Sequence, residues 1–128
     1  MFKGIEHFAI ATKNTDLLAQ WYCENLGFRI AHKNEKKPPT YFIRGEEGSM
    51  LEIIPANEKL KQLQDLADAG PRHVAISVND FDKAYNHLRS RGTNFLGEPR
   101  DASGGVRVVF FMDAEQNIIH LIFRPSPI

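Results

Sequence analysis

The chain has a single cysteine, Cys23, so no disulfide can close within it. It has no excess of charge, because sixteen Lys and Arg are matched by sixteen Asp and Glu. Neutrality without a basic stripe argues against nucleic acid or an anionic membrane as main partner. No apolar run is long enough to span a bilayer, and the opening MFKGIEHFAIAT runs straight into strand-like alternation instead of a signal-peptide apolar core. These absences lead us to expect a reduced, cytoplasmic protein. What is present is ordinary for a globular chain: 42% hydrophobic and 25% charged residues over 128 positions, enough for one domain or two small modules sharing a core.

A repeat runs through the chain. A shift of 66 positions lays IEHFAIATKNTDLLAQWY over PRHVAISVNDFDKAYNHL, so that His7 falls on His73, Ala9 on Ala75, Ile10 on Ile76 and Asp16 on Asp82. After two inserted residues, MLEII (50–54) lies over IIHLI (118–122), and Glu52 falls on His120. Each copy opens with an alternating strand, at 5–12 and 72–78. A helix follows. Asn14 or Thr15 can cap the first, which carries Leu18, Trp21 and Tyr22 and stops at Gly27; Asn79 or Asp80 can cap the second, with Phe81, Ala84, Tyr85 and Leu88 before Gly92. Further strands are expected near 28–32, 40–44 and 49–54, and near 95–98, 106–112 and 117–123. The order is β-α-β-β-β, written twice: an α+β chain with module 1 at about 1–56, a linker helix at about 57–70 and module 2 at about 71–128.

Alternation sorts the strand residues by face. Phe8 and Ile10 oppose His7, Ala9 and Ala11; Val74, Ile76 and Val78 oppose His73, Ala75 and Ser77. The bulky faces suit the helices, and small residues beside each histidine leave room on the other face. Glu52 and His120 likewise lie opposite Leu51 and Ile53, or Ile119 and Leu121. An imidazole set in NIIHLIF needs a partner, since an unsatisfied buried polar group costs about 1–3 kcal/mol. His32, beside a Lys-rich loop, and His87, on the polar side of its helix, read as surface residues, and Cys23 as a small helix residue without an activating environment. Arg29, Arg44, Arg72, Arg100 and Arg107 can grip an anion, although solvation is the simpler role for most. His7, Glu52, His73 and His120 hold equivalent places in the two copies. Three imidazoles and one carboxylate suit a shared Zn, Ni, Mn or Fe ion better than four separate hydrogen bonds.

With these residues in place, the sequence resembles the vicinal oxygen chelate superfamily, which includes glyoxalase I, methylmalonyl-CoA epimerase, extradiol dioxygenases and the fosfomycin- and bleomycin-resistance proteins. The resemblance rests on His7 in EHFAIAT, on WYCENLGF, on Glu52 in MLEII, on His73 in RHVAISV and on the hairpin FFMDAEQNIIHLIF. It implies tandem βαβββ modules forming a cup-shaped, barrel-like mixed sheet with helices outside. It also implies metal ligands on the first and fourth strands of each module, matching His7, Glu52, His73 and His120. The chain departs from the pattern twice. The last ligand is usually a glutamate that in glyoxalase I also moves the substrate proton, and here it is His120. The usual Asp-Pro-Asp-Gly-Asn turn reads DAEQN, which would leave Asn117 to supply the left-handed conformation.

The resemblance implies a metal-dependent lyase or isomerase, similar to glyoxalase I (lactoylglutathione lyase) or the epimerase, acting on a small substrate with vicinal oxygens through a metal-stabilised enediolate. One divalent ion is expected, Zn or Ni ahead of Mn or Fe. Glu52 is the better base, because a metal-bound imidazole has committed its lone pair; His120 is then chiefly a ligand, or takes over the usual glutamate's catalytic place. An iron-dependent extradiol-type dioxygenase, with His7, His73 and Glu52 as its triad, and a metal-free drug- or metabolite-binding resistance protein are the alternatives. A homodimer is expected from open sheet edges and the short chain.

Overall fold

The computed structural model describes residues 1, 3–57, 66, 67, 69–126 and 128. They divide into two compact units, Met1–Lys61 and Gln62–Ile128. The linker helix expected at 57–70 lies for the most part outside the described residues.

Unit 1 runs β1 (His7–Thr12), α1 (Thr15–Leu26), β2 (Arg29–Lys33), β3 (Tyr41–Arg44) and β4 (Met50–Pro55), with sheet order β1-β4-β3-β2. Unit 2 runs β5 (Val74–Ser77), α2 (Phe81–Ser90), β6 (Asn94–Phe95), β7 (Arg100–Asp101), β8 (Arg107–Met112) and β9 (Ile118–Phe123), ordered β5-β9-β8-β6 with β7 also on β8. In each unit the first strand pairs in parallel with the last, and the remaining pairs are antiparallel. The chain is thus α+β, with the β-α-β-β-β order in unit 1 and the same order in unit 2 but for a second strand split into β6 and β7. No helix among the described residues is long and apolar enough to cross a membrane.

Local chemistry sets the helix ends. The Asn14 side chain accepts from the Leu17 amide at 2.9 Å, and Gly27 ends α1 in the left-handed region at φ 70°. Asp80 caps α2 by accepting from the Lys83 amide at 3.0 Å. Leu18, Ala19 and Tyr22 of α1 join Ile10, Ile43, Leu51 and Ile53 in one core; Phe81 and Leu88 of α2 join Val109, Phe111, Ile119 and Leu121 in the other. Burying each large side chain contributes about 1.5–3 kcal/mol. The repeat-equivalent Asp16 and Asp82 tie each helix to its sheet. Asp16 accepts from the Tyr41 hydroxyl and lies 3.6 Å from Lys33, while Asp82 accepts from Arg107 at 2.8 Å.

Three local expectations are corrected. The strand near 95–98 is two short pieces, β6 and β7, with Pro99 between them. Proline has no N–H to donate to β8, and the Leu96 amide makes the last such bond before it, to Phe110 at 2.9 Å. Phe8 shares the face of Ile10 but remains 43% exposed, because β1 is an edge strand. In the last hairpin Gln116, not Asn117, is left-handed, at φ 61°. Asp113 accepts from the Asn117 amide at 2.9 Å and from its side chain at 2.8 Å. Those two bonds hold Asn117 in place, so the left-handed turn falls on the residue before it.

Candidate metal centre

Strand register decides which side chains share a face. Ala9 pairs with Glu52 across β1 and β4, and Phe42 pairs with Glu52 across β3 and β4. His7, two residues before Ala9, therefore lies on the same face, and its Nε2 is 3.3 Å from the Glu52 carboxylate. Its Nδ1 hydrogen-bonds the Glu6 carboxylate, which can only accept, so Nδ1 carries the proton. Phe42 meets the His7 ring edge-on, with centroids 5.4 Å apart at 88°. The Glu6 hydrogen bond raises the His7 pKa above its usual value; desolvation opposes it, and the charges of Glu6 and Glu52 with the Glu52 hydrogen bond add to the rise.

Unit 2 repeats this frame with other donors. Ala75 and Phe110 both pair with His120, as Ala9 and Phe42 pair with Glu52. His73 immediately precedes β5, and its ring meets Phe110 at 5.4 Å and His120 at 5.1 Å. Phe110 lies nearly parallel to His120, 4.4 Å away at 13°. The Nε2 of His120 is buried and has no hydrogen-bond partner among the described residues. Burial lowers the His120 pKa, reinforced by His73, Arg124 and Arg100, and so favours the neutral imidazole that a metal takes as ligand.

The four candidate ligands therefore form two pairs: His7 with Glu52 in unit 1, and His73 with His120 in unit 2. Among the described residues no three or more His, Cys, Asp or Glu side chains gather closely enough to hold an ion. Each pair suits half of a ligand set. Two ligand atoms each about 2.1 Å from one ion lie roughly 3–3.5 Å apart, which the 3.3 Å between His7 and Glu52 matches. The orphaned Nε2 of His120 is the matching feature in unit 2.

The other singled-out residues sort by surroundings. His87 is on the exposed side of α2, and Cys23 is half-buried, with burial and then the Glu24 charge pushing its thiol pKa up. His32 is exposed, as expected, and a bulge after Ile30 pairs it with Phe42, which puts it on the Glu52 face, 6.4 Å from the Phe42 ring. Arg107 is held by Asp82 and by Asp101 at 3.0 Å, and Arg72 donates to the Gly70 and Ala69 carbonyls. Phe42 and Phe110, the rings against the imidazoles, were not singled out from the sequence. The signal was there: the 68-residue offset that carries Glu52 to His120 also carries Phe42 to Phe110.

The chain is 24% identical over 119 residues to the uncharacterized protein YwkD of Bacillus subtilis (strain 168), covering 91% of this chain and 93% of that one. It is 28% identical over 112 residues to a 4-hydroxyphenylpyruvate dioxygenase of Tetrahymena thermophila; the match takes in 78% of this chain but only 28% of that protein. The crystal structure of a glyoxalase family protein from Enterococcus faecalis superposes with a TM-score of 0.77 at 23% identity, over 94% of this chain and 98% of that one, a likeness of fold alone. Residues 4–121 match the family model of the Glyoxalase/Bleomycin resistance protein/Dioxygenase superfamily, and the chain belongs to that superfamily.

Proposed function

We propose that the protein is a metal-dependent lyase or isomerase of the glyoxalase I or epimerase kind, acting on a small molecule with two neighbouring oxygens. The observation that carries this reading is the buried, unpartnered Nε2 of His120, set beside a second imidazole where the repeat places Glu52 in unit 1. His7, Glu52, His73 and His120 would hold one divalent ion, Zn or Ni ahead of Mn or Fe, with the two pairs supplied by one chain or by two. When bound, such an ion withdraws electron density from the substrate oxygens and acidifies the adjoining C–H.

The remaining work falls to the chain. Glu6 fixes His7 with its Nε2 toward Glu52, while Phe42 meets the His7 ring edge-on and Phe110 stacks on His120. Ala9 and Ala75 leave space beside them. Glu52 accepts the substrate proton at a carboxylate oxygen, since a carboxylate can release one oxygen for that purpose and a ligating imidazole cannot. His120 serves chiefly as ligand. Elemental analysis and metal titration of untagged protein should give one ion per pair of units. Weak, substoichiometric uptake of every divalent ion would overturn the reading. His7→Ala and His73→Ala should weaken uptake more than His32→Ala and His87→Ala. Glu52→Gln should keep the ion yet slow solvent-deuterium exchange into a substrate by about 10²–10⁴-fold, whereas His120→Ala loses the ion first.

The likeness to a dioxygenase favours a second reading, an iron-dependent oxygenase using His7, His73 and Glu52. Oxygen uptake with Fe(II) and a catechol, absent with Zn or Ni, would select it. We further propose a cytoplasmic homodimer, supported by sheet edges at β1, β2, β5 and β6. Light scattering at micromolar concentration tests the dimer.

A further inference from the structure

The His120 face of unit 2 is apolar around its imidazoles and cationic at one end. Val108 pairs with Ile122 and Phe110 with His120 across β8 and β9, and Ala75 stands opposite His120 on β5. Arg100 pairs with Val108, so it shares this face in the row next to His120. Arg124 follows β9, two residues beyond Ile122, and both arginines are exposed. No Asp or Glu lies on this face among the described strand residues, because Asp101 is turned the other way and bonded to Arg107. Neither Arg100 nor Arg124 makes an ion pair among the described residues, in contrast to Arg107 with its two carboxylates.

Nothing in the shared frame requires this. The unit 1 position equivalent to Arg124 is Ala56, and the one equivalent to Val108, beside which Arg100 sits, is Thr40. Arg100 and Arg124 thus bring positive charge to the end of an apolar face that carries no carboxylate among the described strand residues. A guanidinium with free donors can bind a carboxylate or phosphate group in bidentate fashion.

We infer that Arg100 and Arg124 form an oxyanion subsite that grips a carboxylate or phosphate group on the small molecule engaged beside His73 and His120. The inference rests on the reading of this face as the substrate site and narrows the substrate class to anions. The test uses the full chain, stripped of metal with EDTA and then freed of the chelator by gel filtration, at matched ionic strength. Pyruvate, methyl pyruvate and inorganic phosphate are titrated, with sodium chloride as control, while the arginine side-chain and His120 ring NMR signals are followed. Pyruvate or phosphate should give saturable shifts, and methyl pyruvate should not. Arg100→Gln and Arg124→Gln should each weaken binding by roughly five-fold or more, and Arg44→Gln should leave it unchanged. Tighter binding of pyruvate assigns the subsite to carboxylates, and tighter binding of phosphate to phosphoryl groups. An equal response to chloride or methyl pyruvate, or undiminished affinity in a folded Arg100→Gln/Arg124→Gln double variant, overturns the subsite. Because the chain is metal-free in this test, failure to take up a metal would sink the metal reading and leave this result standing. A chain that binds metal but ignores oxyanions fails here alone.

Discussion

In unit 1 the ligand-bearing face pairs an imidazole with a carboxylate, His7 and Glu52, 3.3 Å apart. In unit 2 the equivalent face pairs two imidazoles, His73 and His120, with ring centroids 5.1 Å apart, and adds two arginines near them. Both pairs rest against a phenylalanine at the equivalent position, Phe42 or Phe110. The frame is common while the electrostatics are opposite: acidic neighbours favour the charged form of His7, and burial with cationic neighbours favours the neutral form of His120. Alternation and register specify which positions face the site, and they leave the charge at those positions free to diverge.

The largest effect that can test this comparison lies in the cores. Phe111 and Ile43 hold equivalent, fully buried positions, so Phe111→Ala should cost about 3–5 kcal/mol and Ile43→Ala about 2–4 kcal/mol. Denaturant titration read by hydrogen exchange in each unit checks both. Next are the supporting rings. Phe110 contacts two imidazoles and Phe42 meets His7 edge-on, with His32 more distant, so Phe110→Leu should cost more than Phe42→Leu, at about 0.5–1.5 kcal/mol per ring pair. Equal losses would mean that the stacked contact contributes nothing. In the hairpin that only unit 2 has in this form, Gln116→Gly should stabilise by about 0.5–1 kcal/mol by relieving the left-handed backbone, a shift visible as a raised Tm.

The finest test is pH. His7 has its pKa raised on folding, so its contribution is present below the unfolded value of 6.5 and is lost as pH rises through the folded value. His120 has its pKa lowered. Its unfolded form takes up the proton first, so unit 2 loses stability as pH falls from 6.5 toward the folded value. Hydrogen exchange between pH 5 and 8, in metal-free protein, should show unit 2 weakening on acidification relative to unit 1. His120→Gln should abolish that weakening, and a uniform response of both units would break the electrostatic contrast.

The repeat, the helix caps at Asn14 and Asp80, the stop at Gly27 and the strand alternation that turns His7, Glu52, His73 and His120 away from the helices are all local patterns, and local patterns can be read residue by residue. The sequence by itself therefore determined the β-α-β-β-β order of each unit and the face on which the four candidate ligands lie. Register across strands, bulges and the capture of long side chains depend on residues far apart in the chain. Only the tertiary structure decided that Phe42 and Phe110 lie against the imidazoles, that the bulge after Ile30 brings His32 onto the Glu52 face, and that Pro99 splits a strand. The same holds for the arginines, which read alike in sequence. Arg107 meets Asp82 and Asp101, while β7 pairing with β8 sets Arg100 beside Val108 on the His120 face, because hydrogen-bond registry between non-adjacent segments, and no periodicity within them, fixes those neighbours.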